Sequence, residues 1–307
     1  MMLGCSIVWF AVLALLPPAQ APTGPLISVW YAGPGARPPA AALSDSAAVD
    51  RDLARIRRAG FNGITTWLAW SATEPERGRL QLTATEQLIA AAAGHDLKVV
   101  VRILTAPGPA WAAGSAAAAE RFVTAVRARI ERAPGVRAIE VDREAVRESA
   151  PIRVEPGAAS LTQARLSLWE AIARRQLHIA FAASAGGFTS DLLPVGETAG
   201  VVTRNEALFA PLQPRAAGVT GINGAGGAPI DVRLLESPQA LMIIAVNRAS
   251  APRTARIQFA QDIPEAIWQN LETGAAVNFV MGKSGPYLEH SFAAHDALVL
   301  MIRKTLR

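Results

Sequence analysis

The stretch that most narrows the possible folds is Leu97-Lys-Val-Val-Val-Arg-Ile-Leu104, a strand-length run that is apolar at almost every position. A strand with one wet face alternates apolar and polar residues, whereas a run that does not alternate is covered on both faces, as a parallel strand between helices is. The neighbouring segments repeat this theme. Residues 26–31 and 61–70 read as strands, and between them Ser44 or Asp45 can cap a helix that carries Leu53 and Ile56 on one side, runs to Arg58 and stops at Gly60. Residues 83–93 and 116–132 supply two more helices, 136–141 and 151–154 two more strands, 161–174 a further helix, and 177–182 a last buried strand. Repeated β-α alternation with short connections predicts a parallel sheet, and acidic residues at strand ends favour a barrel over a doubly wound sheet.

After residue 221 the character changes. Ile222-Asn-Gly-Ala-Gly-Gly-Ala-Pro229 is turn-rich and lacks the strand-glycine-helix context of a phosphate loop, so it reads as a linker. Beyond it, residues 230–235, 241–246, 256–259, 266–271, 276–279 and 297–302 are short strands without helices, the pattern of a small antiparallel sandwich. The expected architecture is therefore α/β: a TIM-barrel-like parallel (β/α) domain over residues 22–221, a linker over 222–229, and an all-β sandwich over 230–307.

Composition excludes several partners. The arginines are scattered among alanines, with no clustered basic run and no interleaved aromatics, so nucleic acid is not an expected partner. Cys5 is the only cysteine, and His95, His178, His290 and His295 share no ligand spacing; no metal and no cofactor are expected. Residues 1–21 hold an apolar core over 7–16 that is too short to span a bilayer, followed by Ala19-Gln20-Ala21, a small-x-small sequence. They read as a secretory signal, which places the mature chain outside the cytoplasm, secreted or periplasmic and free of the membrane after cleavage. An uncleaved membrane anchor or a wrongly assigned start are the alternatives.

Chemistry is expected between residues 136 and 156, where Glu144 and Glu155 follow two short strands with only ten residues between them. At the ends of parallel barrel strands such residues face the active site; the other reading is two surface glutamates on an arginine-rich linker. Upstream, Asp52-Leu-Ala-Arg-Ile-Arg-Arg-Ala-Gly-Phe-Asn62, Trp67-Leu-Ala-Trp70-Ser71, Glu74-Pro-Glu-Arg-Gly78 and Ala106-Pro-Gly-Pro-Ala-Trp111 resemble, in order, the first half of the barrel in β-galactosidases of glycoside hydrolase family 42 and their retaining (β/α)-barrel relatives. Ile139-Glu-Val-Asp-Arg-Glu144 resembles the family's fourth strand, whose Asn-Glu pair carries the acid/base, with Arg143 in place of the Asn. Val154-Glu155-Pro156 and the helix after it resemble the seventh strand, which ends in the nucleophile, and Trp268-Gln-Asn-Leu-Glu-Thr-Gly274 resembles the small C-terminal sandwich of the same group.

The resemblance implies a retaining glycosidase that takes a carbohydrate, a β-galactoside by analogy. In such enzymes two carboxyls roughly 5 to 5.5 Å apart act in turn, one attacking the anomeric carbon and the other protonating the leaving oxygen and then activating water. Glu155 would be the nucleophile and Glu144 the acid/base. Trp67, Trp70 and Trp111 fall where sugar faces stack, with the core as the alternative, above all for Trp67. Arg102 ends the third strand, placed to bind a hydroxyl or to pair with a barrel carboxylate, and the pairing is favoured. Glu74 reads as a loop brace. Ten residues cannot supply the fifth and sixth β-α units, so the barrel is expected to be incomplete, with about six strands. The alternative function is accordingly an inactive, truncated relative that binds carbohydrate or merely persists.

Overall fold

The computed structural model describes residues 24–142, 151–224, 230–264 and 267–304; the leader segment and Glu144 lie outside the described residues. Six parallel strands, β1 (Leu26–Trp30), β2 (Gly63–Ala69), β3 (Lys98–Leu104), β4 (Val136–Asp142), β5 (Ile152–Val154) and β6 (His178–Ala183), lie in the order β4-β3-β2-β1-β6-β5. Around them run α1 (Ser46–Ala59), α2 (Trp70–Thr73), α3 (Thr83–Gly94), α4 (Ala116–Ile130), α5 (Ala158–Ala173), α6 (Leu193–Arg204) and α7 (Glu206–Phe209). The last strand, β6, returns to pair with β1, as the final strand of a barrel does, while β4 and β5 remain sheet edges. The incomplete six-strand barrel expected from the sequence is thus the observed one, open where two strands of a full barrel are missing.

Local chemistry sets these elements. Asp45 accepts a hydrogen bond from the Ala48 amide at the start of α1, and Gly60 ends that helix at φ 115°, a conformation that favours glycine. Ser115 caps α4 in the same way, through the Ala118 amide. Along β3, Val99, Val101 and Ile103 enter the core beneath the helices, and the alternation of the strand turns Val100 and Arg102 to the opposite, interior face.

The antiparallel part comprises β7 (Gln213–Pro214), β8 (Val219–Gly224), β9 (Asp231–Glu236), β10 (Ala240–Asn247), β11 (Arg253–Phe259), β12 (Trp268–Asn270), β13 (Ala276–Val277), β14 (Val280–Gly282), β15 (Gly285–Phe292) and β16 (Asp296–Arg303). Its sheets are ordered β13-β12-β16-β10-β9-β7 and β14-β15-β11-β8. Antiparallel pairing begins earlier than residue 230: β7 pairs with β9, and β8, which reaches into the expected linker, pairs with β11. Gly224, which read as part of a turn, sits there on an edge strand.

Strand β10 is buried throughout. Leu241, Ile243 and Ala245 face the second sheet, whereas Met242, Ile244 and Val246 share one core with α5, α6 and the parallel strands. Helix α5 therefore has apolar partners on two sides, which is why its burial is not confined to one stripe. Its Arg165 crosses to the sandwich, with Nε donating to Glu272 Oε1 at 2.7 Å and Nη1 to Asp296 Oδ1 at 3.0 Å.

Candidate functional site

Inside the open barrel, strand register places Trp67, Arg102 and Glu140 side by side on β2, β3 and β4. Arg102, only 5% exposed, lies 3.7 Å from Glu140 and 3.5 Å from Asp142. His178 spans the interior from β6: its Nδ1 is 3.1 Å from Glu140 Oε1, and its Nε2 is 3.0 Å from both Ser28 Oγ and Thr65 Oγ1. An ionised carboxylate only accepts, so Nδ1 carries the proton of that contact. The His178 hydrogen bond holds the Glu140 carboxyl below its ordinary range; burial opposes this, and the charges of His178 and Arg102 add to it. Arg102 thus makes the carboxylate pairing expected of it. Glu140, Asp142 and His178 were not expected as a cluster; their signal was polar residues two apart on a strand, but a partner across the barrel is set by register that one sequence does not print.

At the C-terminal end of the sheet lies a cavity of about 360 Å³ whose walls include Trp30, Trp67, Arg37, Arg153 and Ser184. Trp30 and Trp67 pack with ring centroids 5.7 Å apart, and the Arg102 guanidinium sits 5.2 Å from the Trp30 ring. The indole N–H groups of these two tryptophans are buried without a hydrogen-bond acceptor among the described residues. Gly186 and Gly187, at φ 81° and 65°, bring the loop after β6 against the loop after β1; a Cβ on Gly186 would lie 2.7 Å from Ala36 O and 2.8 Å from Arg37 Cγ.

The residues singled out in the sequence separate into groups. Trp67 lines the cavity. Trp70 and Trp111 lie away from it: Trp70 is 2% exposed, stacks on Phe122 at 5.6 Å and donates to Glu74 Oε2, while Trp111 meets it edge-on and donates to Glu74 O. Trp70 opens α2 and so points into the packing against α4. Glu74 also accepts from the Gly78 amide, a brace for its own turn. Glu155 follows β5 directly and is exposed, its amide donating to Ser160 Oγ at 2.8 Å. The preceding residue, Val154, accepts from the amide of Ser184 in the cavity wall. Glu144, the other half of the expected pair, lies outside the described residues. Among the described residues no three of His, Cys, Asp and Glu converge as the ligands of a metal would, and no helix is long and apolar enough to cross a membrane.

Residues 42–149 match the sequence profile of glycoside hydrolase family 42, described as β-galactosidase. No curated protein sequence matches the chain. Among solved structures, it is similar to a noncanonic maltogenic α-amylase, AmyB, from Thermotoga neapolitana (TM-score 0.59, 9% identity, covering 92% of this chain and 99% of that one). It is also similar to a family 39 glycoside hydrolase from the gut symbiont Bacteroides cellulosilyticus WH2 (TM-score 0.54, 10% identity, 91% and 81%) and to an α-amylase from Geobacillus thermoleovorans (TM-score 0.54, 10% identity, 92% and 99%). At such identities the likeness is one of fold. From residue 42 to 149 the chain resembles the β-galactosidases of glycoside hydrolase family 42, and it carries that segment in the fold of the barrel glycosidases, shortened between β4 and β5.

Proposed function

We propose that the protein is an exported retaining glycosidase acting on a β-linked, galactoside-type sugar, with Glu155 as nucleophile and Glu144 as acid/base. The observation that carries this reading is the cavity at the C-terminal end of the sheet, bounded by the Trp30–Trp67 pair and by β5, the strand that Glu155 follows. The barrel glycosidase fold and the family match over residues 42–149, which take in Glu144, support it. In this mechanism Glu155 attacks the anomeric carbon as Glu144 gives its proton to the departing oxygen. Glu144 then takes a proton from the water that hydrolyses the glycosyl ester. The Trp30 and Trp67 rings supply apolar surface for a sugar face.

Turnover of aryl β-glycosides tests the assignment. Glu155→Gln abolishes it, because an amide cannot form the ester. Glu144→Gln still reacts with substrates that have good leaving groups, stalls before water attack and is rescued by azide, which needs no general base. Wild-type rates in both variants would show that the wrong carboxylates are named. A second reading, sugar binding without turnover, is favoured by one observation: the sheet stays open between β4 and β5, the strands that precede the two glutamates. Calorimetric binding of sugar by a wild-type protein that cleaves nothing would select that reading.

A further inference from the structure

Resting on the reading of the cavity as a sugar site, we propose that it is built for an anionic sugar, one bearing a uronate carboxylate or a sulfate ester, with Arg37 and Arg153 as the anion-binding pair. Every charged side chain among the described residues that line it is an arginine. A neutral sugar offers hydroxyls that both donate and accept, and calls for acceptors as well as donors from its site. Here the charged lining residues, Arg37 and Arg153, only donate, and no carboxylate stands among the described lining residues. A pair of guanidinium donors matches a group that only accepts, as a carboxylate or sulfate does, and binds it through paired charge-assisted hydrogen bonds.

Some arginines of the molecule are tied down by carboxylates. Arg102 is held by Glu140 and Asp142, Arg165 by Glu272 and Asp296, and Arg248 by Glu170 and Asp231. Arg37 and Arg153 make no ion pair among the described residues, so their charge is left for a ligand. Two separate elements bring them to one cavity. Arg37 rides the loop after β1, which the close approach of Gly186 and Gly187 fixes against the loop after β6, and the Gly187 amide donates to Ala36 O at 3.2 Å. Arg153 is the middle residue of β5 and lies in register with Ala182, whose small side chain leaves the wall open beside it. The interior carboxylates do not cancel this field, because Glu140 and Asp142 are already engaged by Arg102 and His178.

The test is calorimetry on the full-length mature protein with methyl β-galactopyranoside, its 6-carboxylate (the methyl β-galacturonide) and its 6-sulfate. At least one anionic ligand should bind about tenfold tighter than the neutral one, the worth of one charge-assisted contact. The preference should shrink as ionic strength rises through the physiological range. Arg37→Gln and Arg153→Gln should each weaken anion binding by about tenfold, and Arg153→Lys should restore part of the loss. Both side chains are exposed, so the variants fold. Tighter binding of the carboxylate names a uronide, tighter binding of the sulfate a sulfated sugar. Equal or tighter binding of the neutral glycoside, or no binding of any of the three, overturns the proposal. In parallel, 4-nitrophenyl versions of the same sugars report on turnover. Cleavage of the neutral substrate without anionic preference sinks this inference and leaves the glycosidase standing, whereas anion-selective binding without cleavage does the reverse.

Discussion

Glu140 is a carboxylate set on a strand whose neighbours are mostly apolar, and it stays ionised because His178 and Arg102 reach it from two other strands. Its folded pKa is lowered from the ordinary 4.5, so the folded state binds its proton less readily than the unfolded chain does. The stability it contributes is therefore fully present above the ordinary carboxyl range and is lost as pH falls through the lowered folded value. Glu140→Gln keeps the shape and removes the titration. The variant should have a lower Tm at neutral pH and a flatter decline of Tm between neutrality and pH 3; an acid limb as steep as that of wild type would refute this role. On another element, α2, Trp70 shows how one side chain's destination decides its part. Its ring stacks on Phe122 beneath Trp111, so Trp70→Ala should cost about 3 to 5 kcal/mol in urea unfolding, the usual penalty for emptying a buried aromatic site. A loss below 1 kcal/mol would mean that the ring is not part of the core.

Between elements, the α1–β2 turn fits tightly against α6. A Cβ on Gly60 would stand 2.3 Å from Gly196 O and 2.8 Å from the Gly200 backbone, and φ 115° is itself strained for an L side chain. Gly60→Ala should therefore destabilise by more than about 2 kcal/mol, strain and overpacking acting together, with the same m-value in urea. The same contact explains what was legible in the sequence and what was not. Helix α1 could be read because its signals are local: Asp45 at the cap, Leu53 and Ile56 on one side, Gly60 at the stop. Helix α6 could not, since it holds Gly196 and Gly200, poor helix formers that are there for packing against a segment more than a hundred residues earlier. Strand β3 announced itself by its nearly continuous apolar run, but β15, with a Gly-Pro start and Glu289, His290 and Ser291 in succession, depends on β11 and β14 for its existence. The site divides likewise. Arg102 was visible as a residue type at a strand end, while Trp30, Arg37 and Arg153 belong to one cavity only because β1, β5 and β6 adjoin in the sheet.

At the scale of the whole molecule, an open parallel sheet of six strands has two unpaired edges and less interior to fill than a closed barrel, so it needs cover from outside. The sandwich supplies part of that cover. Met242, Ile244 and Val246 of β10 and Val299 and Met301 of β16 lie in the same core as α5 and the parallel strands. Across that junction Trp169, wholly buried, donates its indole N–H to Glu272 at 2.9 Å. Glu272 and Asp296 also keep Arg165 charged, more than offsetting a burial that works against the charge. With a continuous core and shared polar contacts, the chain should unfold as one unit. Tryptophan fluorescence and far-ultraviolet circular dichroism should then give coincident transitions in urea. A chain ending at residue 212 would expose the outer side of α5, including Trp169, and leave Arg165 without either carboxylate. It should be a loosely packed species, with helical far-ultraviolet signal, weak near-ultraviolet signal and a broad denaturation curve. Two separated transitions in the full chain, or a sharp transition with intact near-ultraviolet dichroism in the shortened one, would mean that the parallel sheet stands alone and the sandwich is an appendage.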